Sequence, residues 1–215
     1  MKYCRNLHFS IAALSLIVWL SPARAAENPL EHVGVQHNAY LACVMEQDTA
    51  QGTSPLRTLV ERCGFDAGMS ADELVHKYDF MVGAHVGVGV TEGAAPYRDY
   101  FIDYEFSFVT RMDAILSLAA DKATTDSLLA ALEDEAVSRL NDRTRSGQSL
   151  LASISTARHS VSYWAEHPEG DDVQQRFPWD IVGADLLGAL GGTLIGGPVM
   201  GTAIGVACSA AAGRG

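Results

Sequence analysis

Apolar positions recur every three or four residues along most of this chain, the spacing of helices that bury one face. From Pro29 to Met45, Val33, His37, Tyr40, Leu41, Val44 and Met45 share such a face. A second helix is expected after Ser70, which stands as N-cap with Glu73 three positions on, ahead of Leu74, Val75, Tyr78 and Met81. The glycine-rich stretch Gly83 to Gly93 reads as flexible or extended. Pro96 then opens a long aromatic-rich helix through Tyr97, Tyr100, Phe101, Tyr104, Phe108, Met112, Ile115, Leu116 and Ala119. Thr124 or Thr125 caps a further helix with Leu128, Leu129, Leu132, Ala136, Val137 and Leu140 inward. Another runs from about Ser146 to Trp164 through Leu150, Leu151, Ile154, Ala157 and Val161. No strand-turn-strand pattern competes. The pattern predicts an all-α helical bundle with a C-terminal Gly-rich helical hairpin.

The C-terminal part differs in kind. From Leu186 to Gly213 there is no charged residue, and half of the chain's 20 glycines lie from Gly183 onward. Small residues recur every fourth position: Ala184, Gly188, Gly192 and Gly196, then Gly197, Gly201, Gly205, Ser209 and Gly213. On a helix this spacing forms a groove that admits a second backbone, a glycine zipper. Pro198 divides the segment into two arms. Glycine is a poor helix former, at about 1 kcal/mol per residue relative to alanine, so the tail needs a bilayer, another copy or its own bundle to order it. The expected organisation is a leader at 1–25, a helical bundle domain at 26–166, a linker at 167–180 and the glycine-zipper tail at 181–215. On this reading the core is largely complete before the linker, and the tail governs association without being needed for the bundle to fold.

Met1 to Ala25 reads as a secretory signal peptide. Lys2 and Arg5 precede an apolar run from Ile11 to Leu20 that is short for a membrane span, and Ala23 and Ala25 supply the small residues before a cleavage site. The expected localisation is outside the cytoplasm, in the periplasm, the cell envelope or the medium. The whole chain has 215 residues and a formal charge of −11; removal of the leader leaves 26 acids against 12 bases, a net −14. Such a balance excludes nucleic acid as a partner, since phosphate recognition needs a basic face. It also fits poorly with a cationic lytic peptide. Export permits oxidation, and Cys43 and Cys63 flank a turn-rich stretch, so a disulfide between them is expected, with Cys208 left over.

No constellation spells out a reaction. His32 and His37 fall on different helix faces, and His76 and His85 have no suitably spaced partner, so neither a metal nor a cofactor is expected. Ser146-Gly147-Gln148-Ser149 is not a nucleophile elbow, and Arg62-Cys63-Gly64-Phe65 lacks the flanks of a cysteine protease site. The ligand or interaction candidates are His37, Asn38, Arg158, His159, Ser160 and Trp164. A buried His37 needs a hydrogen-bond partner, for which Ser155, Ser160 or Tyr163 are the candidates.

Three segments resemble a family of uncharacterised exported bacterial proteins known mostly from Bacteroidetes. They are Val33-Gly34-Val35-Gln36-His37-Asn38-Ala39-Tyr40-Leu41, the element Ser155-Thr156-Ala157-Arg158-His159-Ser160-Val161-Ser162-Tyr163-Trp164, and a Gly/Ala zipper beginning at Asp180 or Asp185. The resemblance covers roughly the two ends of the chain, lacks the lipobox cysteine frequent in that family, and implies export and architecture without a reaction. The tail also resembles bacteriocin-like glycine zippers. The expected function is therefore membrane association or self-association through Gly188, Gly192, Gly196, Gly197, Gly201 and Gly205. Two alternatives stand beside it: an exported hydrolase-like enzyme using His37, Arg158 and His159, and a secreted membrane-inserting toxin.

Overall fold

The computed structural model describes residues 27–47, 53–167 and 177–214. The expected leader, and the linker residues 168–176, lie outside them. The described residues form nine α-helices and no strand: α1 (Glu31–Glu46), α2 (Pro55–Glu61), α3 (Ala71–His85), α4 (Val90–Ala94), α5 (Asp103–Ser117), α6 (Lys122–Arg139), α7 (Arg145–Glu166), α8 (Trp179–Gly196) and α9 (Pro198–Ala212). The all-α fold class and the terminal helical hairpin are as the periodicity predicts.

Local chemistry sets several boundaries. Ser70 Oγ accepts the Glu73 backbone N–H at 3.2 Å, but the Glu73 carboxylate turns instead to Lys77 at 2.6 Å, so only half of the expected box forms. The cap of α6 is Asp121, whose carboxylate accepts the Thr124 N–H at 3.0 Å; the threonines lie inside the helix. The long aromatic helix expected from Pro96 is broken. A 3-10 turn spans Ala95–Tyr100, the Arg98 guanidinium takes the Phe101 carbonyl at 2.7 Å, and the Glu105 side chain accepts the Ile102 N–H at 3.2 Å to start α5 afresh. The stretch expected to be flexible contains α4, whose start is held by Asp113: the Val90 N–H donates to its carboxylate at 3.1 Å and the Thr91 hydroxyl at 2.6 Å. α2 is an element that periodicity missed, being only seven residues long.

The main correction concerns the tail. The α8–α9 hairpin does not stand beside a finished bundle; it is the centre of it. Every residue from Ile181 to Leu194 and from Met200 to Ala210 is buried. α7 packs mainly along α8 and α1 along α9, and α3 and α4 also pack against the hairpin. A helix without a polar face must be covered all round, and here the other helices cover it.

The two small-residue series face each other. A Cβ on Gly188 would lie 2.8 Å from the Gly205 Cα, and one on Gly192 would lie 2.5 Å from the Met200 carbonyl oxygen. These spacings admit hydrogen only, so the arms touch backbone to backbone. Gly197 makes the turn at φ +85°, a conformation that side chains disfavour, and Pro198 opens α9 where no N–H is needed. The hairpin is tied at both ends. Arg145, at the start of α7, donates to the Leu194 and Ile195 carbonyls at 3.0 and 2.9 Å, and Arg214 donates to the Val44 carbonyl at the end of α1 at 2.6 Å. The Cys43–Cys63 disulfide joins α1 to the residues just after α2, with Cα atoms 5.9 Å apart, and Cys208 is a buried free thiol.

Candidate functional site

The three segments singled out in the sequence meet in one place. Gly34 lets α1 approach α7 closely, because a Cβ there would lie 2.5 Å from the Ser155 hydroxyl and 2.6 Å from the Ser155 carbonyl oxygen. One turn on, the Asn38 amide donates to the His159 carbonyl at 2.7 Å, and His37 Nδ1 lies 3.1 Å from Asn38 Oδ1. His37 thereby points through the helix layer at Asp185 of α8. Its Nε2 is 3.7 Å from Asp185 Oδ2, and both side chains are fully buried. From α7, the Ser160 hydroxyl donates to the same carboxylate oxygen at 2.5 Å.

Further donors surround this carboxylate. The Trp164 indole N–H and the Ser209 hydroxyl favour its charged form, although neither closes a hydrogen bond of ordinary geometry. Burial prevails over these groups and over His37, and holds the Asp185 carboxyl above the usual carboxylate range. The cluster thus draws on α1, α7, α8 and α9 at the middle of the bundle. It has no path to solvent: His37, Ser160, Asp185 and Ser209 are each fully buried. A substrate could reach none of them without separating the helices.

The remaining candidates sit at the rim, in two separate ion-paired groups. His159 Nε2 lies 2.7 Å from Glu31 Oε1, and the Ser155 hydroxyl donates to the Glu31 carbonyl at 3.1 Å. Arg158 pairs with Glu133 and also lies 3.5 Å from Asp126. Glu133 is itself held by the Asn28 amide at 2.6 Å, which donates as well to the Leu151 carbonyl at 3.0 Å. His37 therefore does not share a cleft with Arg158 and His159. Sequence reasoning missed Asp185 as the partner of His37. The available signal was that Asp185 is the last carboxylate before the uncharged stretch, where an acid needs a partner to be tolerated.

A second buried polar group lies farther along the hairpin. His85, at the end of α3, has Nε2 3.2 Å from the Tyr97 hydroxyl and Nδ1 3.9 Å from Cys208 Sγ. Burial lowers the His85 pKa to about 4 and raises that of Tyr97 to about 12. Burial and the neighbouring Asp185 push the Cys208 thiol well above its ordinary value, so it is not a poised nucleophile. Among the described residues no group of three or more metal-ligating side chains converges.

The surface offers one more feature. The hairpin turn carries Ile195 and Val199 into solvent at 42% and 50% exposure, although Leu194 and Met200 beside them are buried. Ile102 is 66% exposed at the same end, to which it is linked through Glu105, Ser146 and Arg145. A shallow cleft of about 380 Å³ adjoins the turn, lined by Met69, Tyr78, Gly196, Val199 and Met200 together with the loop from Asp66. No helix among the described residues is long and apolar enough to cross a membrane. No family model, curated protein or solved structure matches the chain.

Proposed function

We propose that this is an exported helical protein that associates with membrane surfaces through the turn of its C-terminal hairpin. The observation that carries this reading is the exposure of Ile195 and Val199 at the tip of a hairpin whose arms are uncharged from Leu186 onward. Isolated exposed apolar residues are ordinary. Here they cap an apolar element and adjoin an apolar cleft, and Ile102 stands at the same end. The arms are 18 and 15 residues long. At about 1.5 Å per residue they fall short of a hydrocarbon core of about 30 Å, so neither arm would span it, and only the turn meets the surface. Export, the glycine zipper and the likeness to exported bacterial proteins belong to the same proposal, and the Cys43–Cys63 disulfide is compatible with it.

The burial of the zipper faces supports membrane contact over self-association, because Gly188 and Gly192 are already occupied by the facing arm. The burial of His37 and the separate pairing of Arg158 and His159 favour docking over hydrolysis. The test is co-sedimentation with neutral phosphatidylcholine vesicles, chosen because the excess of acids repels anionic lipid. Ile195→Ser with Val199→Ser should cut the bound fraction several-fold and leave the helical content unchanged. Equal binding by parent and variant, or no binding by the parent, overturns the reading.

A further inference from the structure

Both arms of the hairpin are gripped by one pair of buried side chains, His85 and Tyr97. The Tyr97 hydroxyl presses on α8 at Gly191, where a Cβ would lie 2.7 Å from it. Its partner His85 rests on α9 at Cys208, 3.9 Å from the sulfur. His85 is 2% exposed and Tyr97 is 9% exposed. The two ring nitrogens face a phenol and a thiol, both neutral. In the neutral imidazole one nitrogen donates and the other accepts, so the phenol and the thiol can satisfy both. A second proton makes both nitrogens donors and places a full charge in this apolar setting. Among the described residues no carboxylate hydrogen-bonds or ion-pairs with the ring to receive it.

We propose that acidification loosens the α8–α9 hairpin at its contact with His85 and Tyr97, and so makes the docking of the hairpin on the membrane surface dependent on pH. The proposal rests on the membrane-docking reading above and adds its regulation. The groups facing His85 are Tyr97 from the 3-10 turn and Cys208 from α9; beyond them lie Tyr100 and, next to Cys208, Asp185. The lowered pKa of His85 agrees, since the protonated ring is disfavoured in the closed bundle. Asp185 acts in the opposite sense, because taking up a proton removes a buried charge. Loosening is therefore local to the His85 contact.

Cys208 reports on this contact directly, being the free cysteine buried against His85. The experiment measures its reaction with a pyridyl disulfide that remains reactive in acid, in a Cys4→Ser background and without membranes, each rate divided by that of the same chain in denaturant. The expected result is a relative rate at least 10-fold higher at pH 4.5 than at pH 7. The rise should largely vanish in His85→Phe, which keeps a ring but cannot titrate. His85→Gln serves the same purpose should the phenylalanine variant fail to fold. Amide exchange along α9 in the unmodified chain gives a second readout, with faster exchange expected at Ile204 to Cys208 in acid after correction for the intrinsic rate. A flat rate between pH 7 and pH 4.5, or an equal rise in both His85 variants, overturns the proposal. Vesicle binding by the Ile195 and Val199 variants is scored separately, so acid-dependent labelling without vesicle binding sinks the docking reading and leaves the latch.

Discussion

His37 Nε2 and Asp185 Oδ2 lie 3.7 Å apart at the centre of the bundle, with neither side chain reaching solvent. The contact joins the first described helix to the first arm of the terminal hairpin, and Ser160 of α7 closes on the same carboxylate. Groups this deep cost stability unless they are partnered, so the contacts to Asp185 from His37 and Ser160 favour one seating of α1 and α7 against α8.

Breaking the pair from either side should be expensive. His37→Ala and Asp185→Ala are each expected to cost about 3–5 kcal/mol, the range for leaving one partner of a buried pair uncompensated. The double variant should cost clearly less than the two together, by at least about 1 kcal/mol. Urea titrations of the four proteins measure this, and additive losses would show that the two groups do not interact.

Glycines of the same chain should respond with opposite signs. Gly188→Ala forces a Cβ to within 2.8 Å of the Gly205 Cα and should cost about 1–3 kcal/mol through separation of the arms. Gly83, inside α3, has nothing within 4 Å of such a Cβ, and Gly83→Ala should gain up to about 1 kcal/mol from helix propensity. Gly192→Leu with Gly201→Leu should unfold the bundle rather than merely alter association. Thermal melts followed by circular dichroism decide all three, and a stable Leu double variant would show that the hairpin is dispensable to the core.

The disulfide closes a segment with a sequence separation of 20. Its removal by Cys43→Ala with Cys63→Ala should cost roughly 3 kcal/mol, mainly through a freer unfolded chain. Thiol counting on denatured, unreduced chain lacking Cys4 should find one free thiol, that of Cys208; three would refute the bridge.

Stability should fall in mild acid through His85. Its pKa is about 4 in the fold against 6.5 in the open chain, so between these values the unfolded state binds more protons. Its stabilising contribution is complete above pH 6.5 and is lost as pH falls toward 4, at a cost of about 3 kcal/mol. Asp185, raised by burial, contributes with the reverse slope, since the cost of its buried charge disappears as it protonates. Unfolding free energies at pH 7 and 4.5 should therefore differ less in His85→Gln than in the parent; an equal difference would remove His85 as the cause.

Much of the helix inventory was legible from spacing alone. Val33, Leu41 and Val44, or Leu150, Ile154, Ala157 and Val161, recur at helical intervals, and each set is buried as that spacing requires. The break at Ile102 was not legible, because it depends on Arg98 and Glu105 satisfying backbone groups that an uninterrupted helix would satisfy itself. The Ser155–Trp164 element could be recognised as unusual from its hydroxyls, but their partners could not. Ser155 bonds Glu31 and Ser160 bonds Asp185, contacts separated by 124 and 25 positions.

What the sequence determined by itself was the material of the tail: small residues every fourth position, no charge from Leu186 to Gly213, and a proline at the turn. That pattern requires close backbone contact and a non-aqueous setting, and several settings satisfy it equally. Tertiary structure decided among them. Gly188 and Gly205 face each other across the arms, and α1, α3, α4 and α7 supply the apolar cover that a bilayer or a second copy would otherwise provide. Burial is a property of the assembled surfaces. Periodicity can say that a helix has no polar face, but only the packing of the other helices says what covers it.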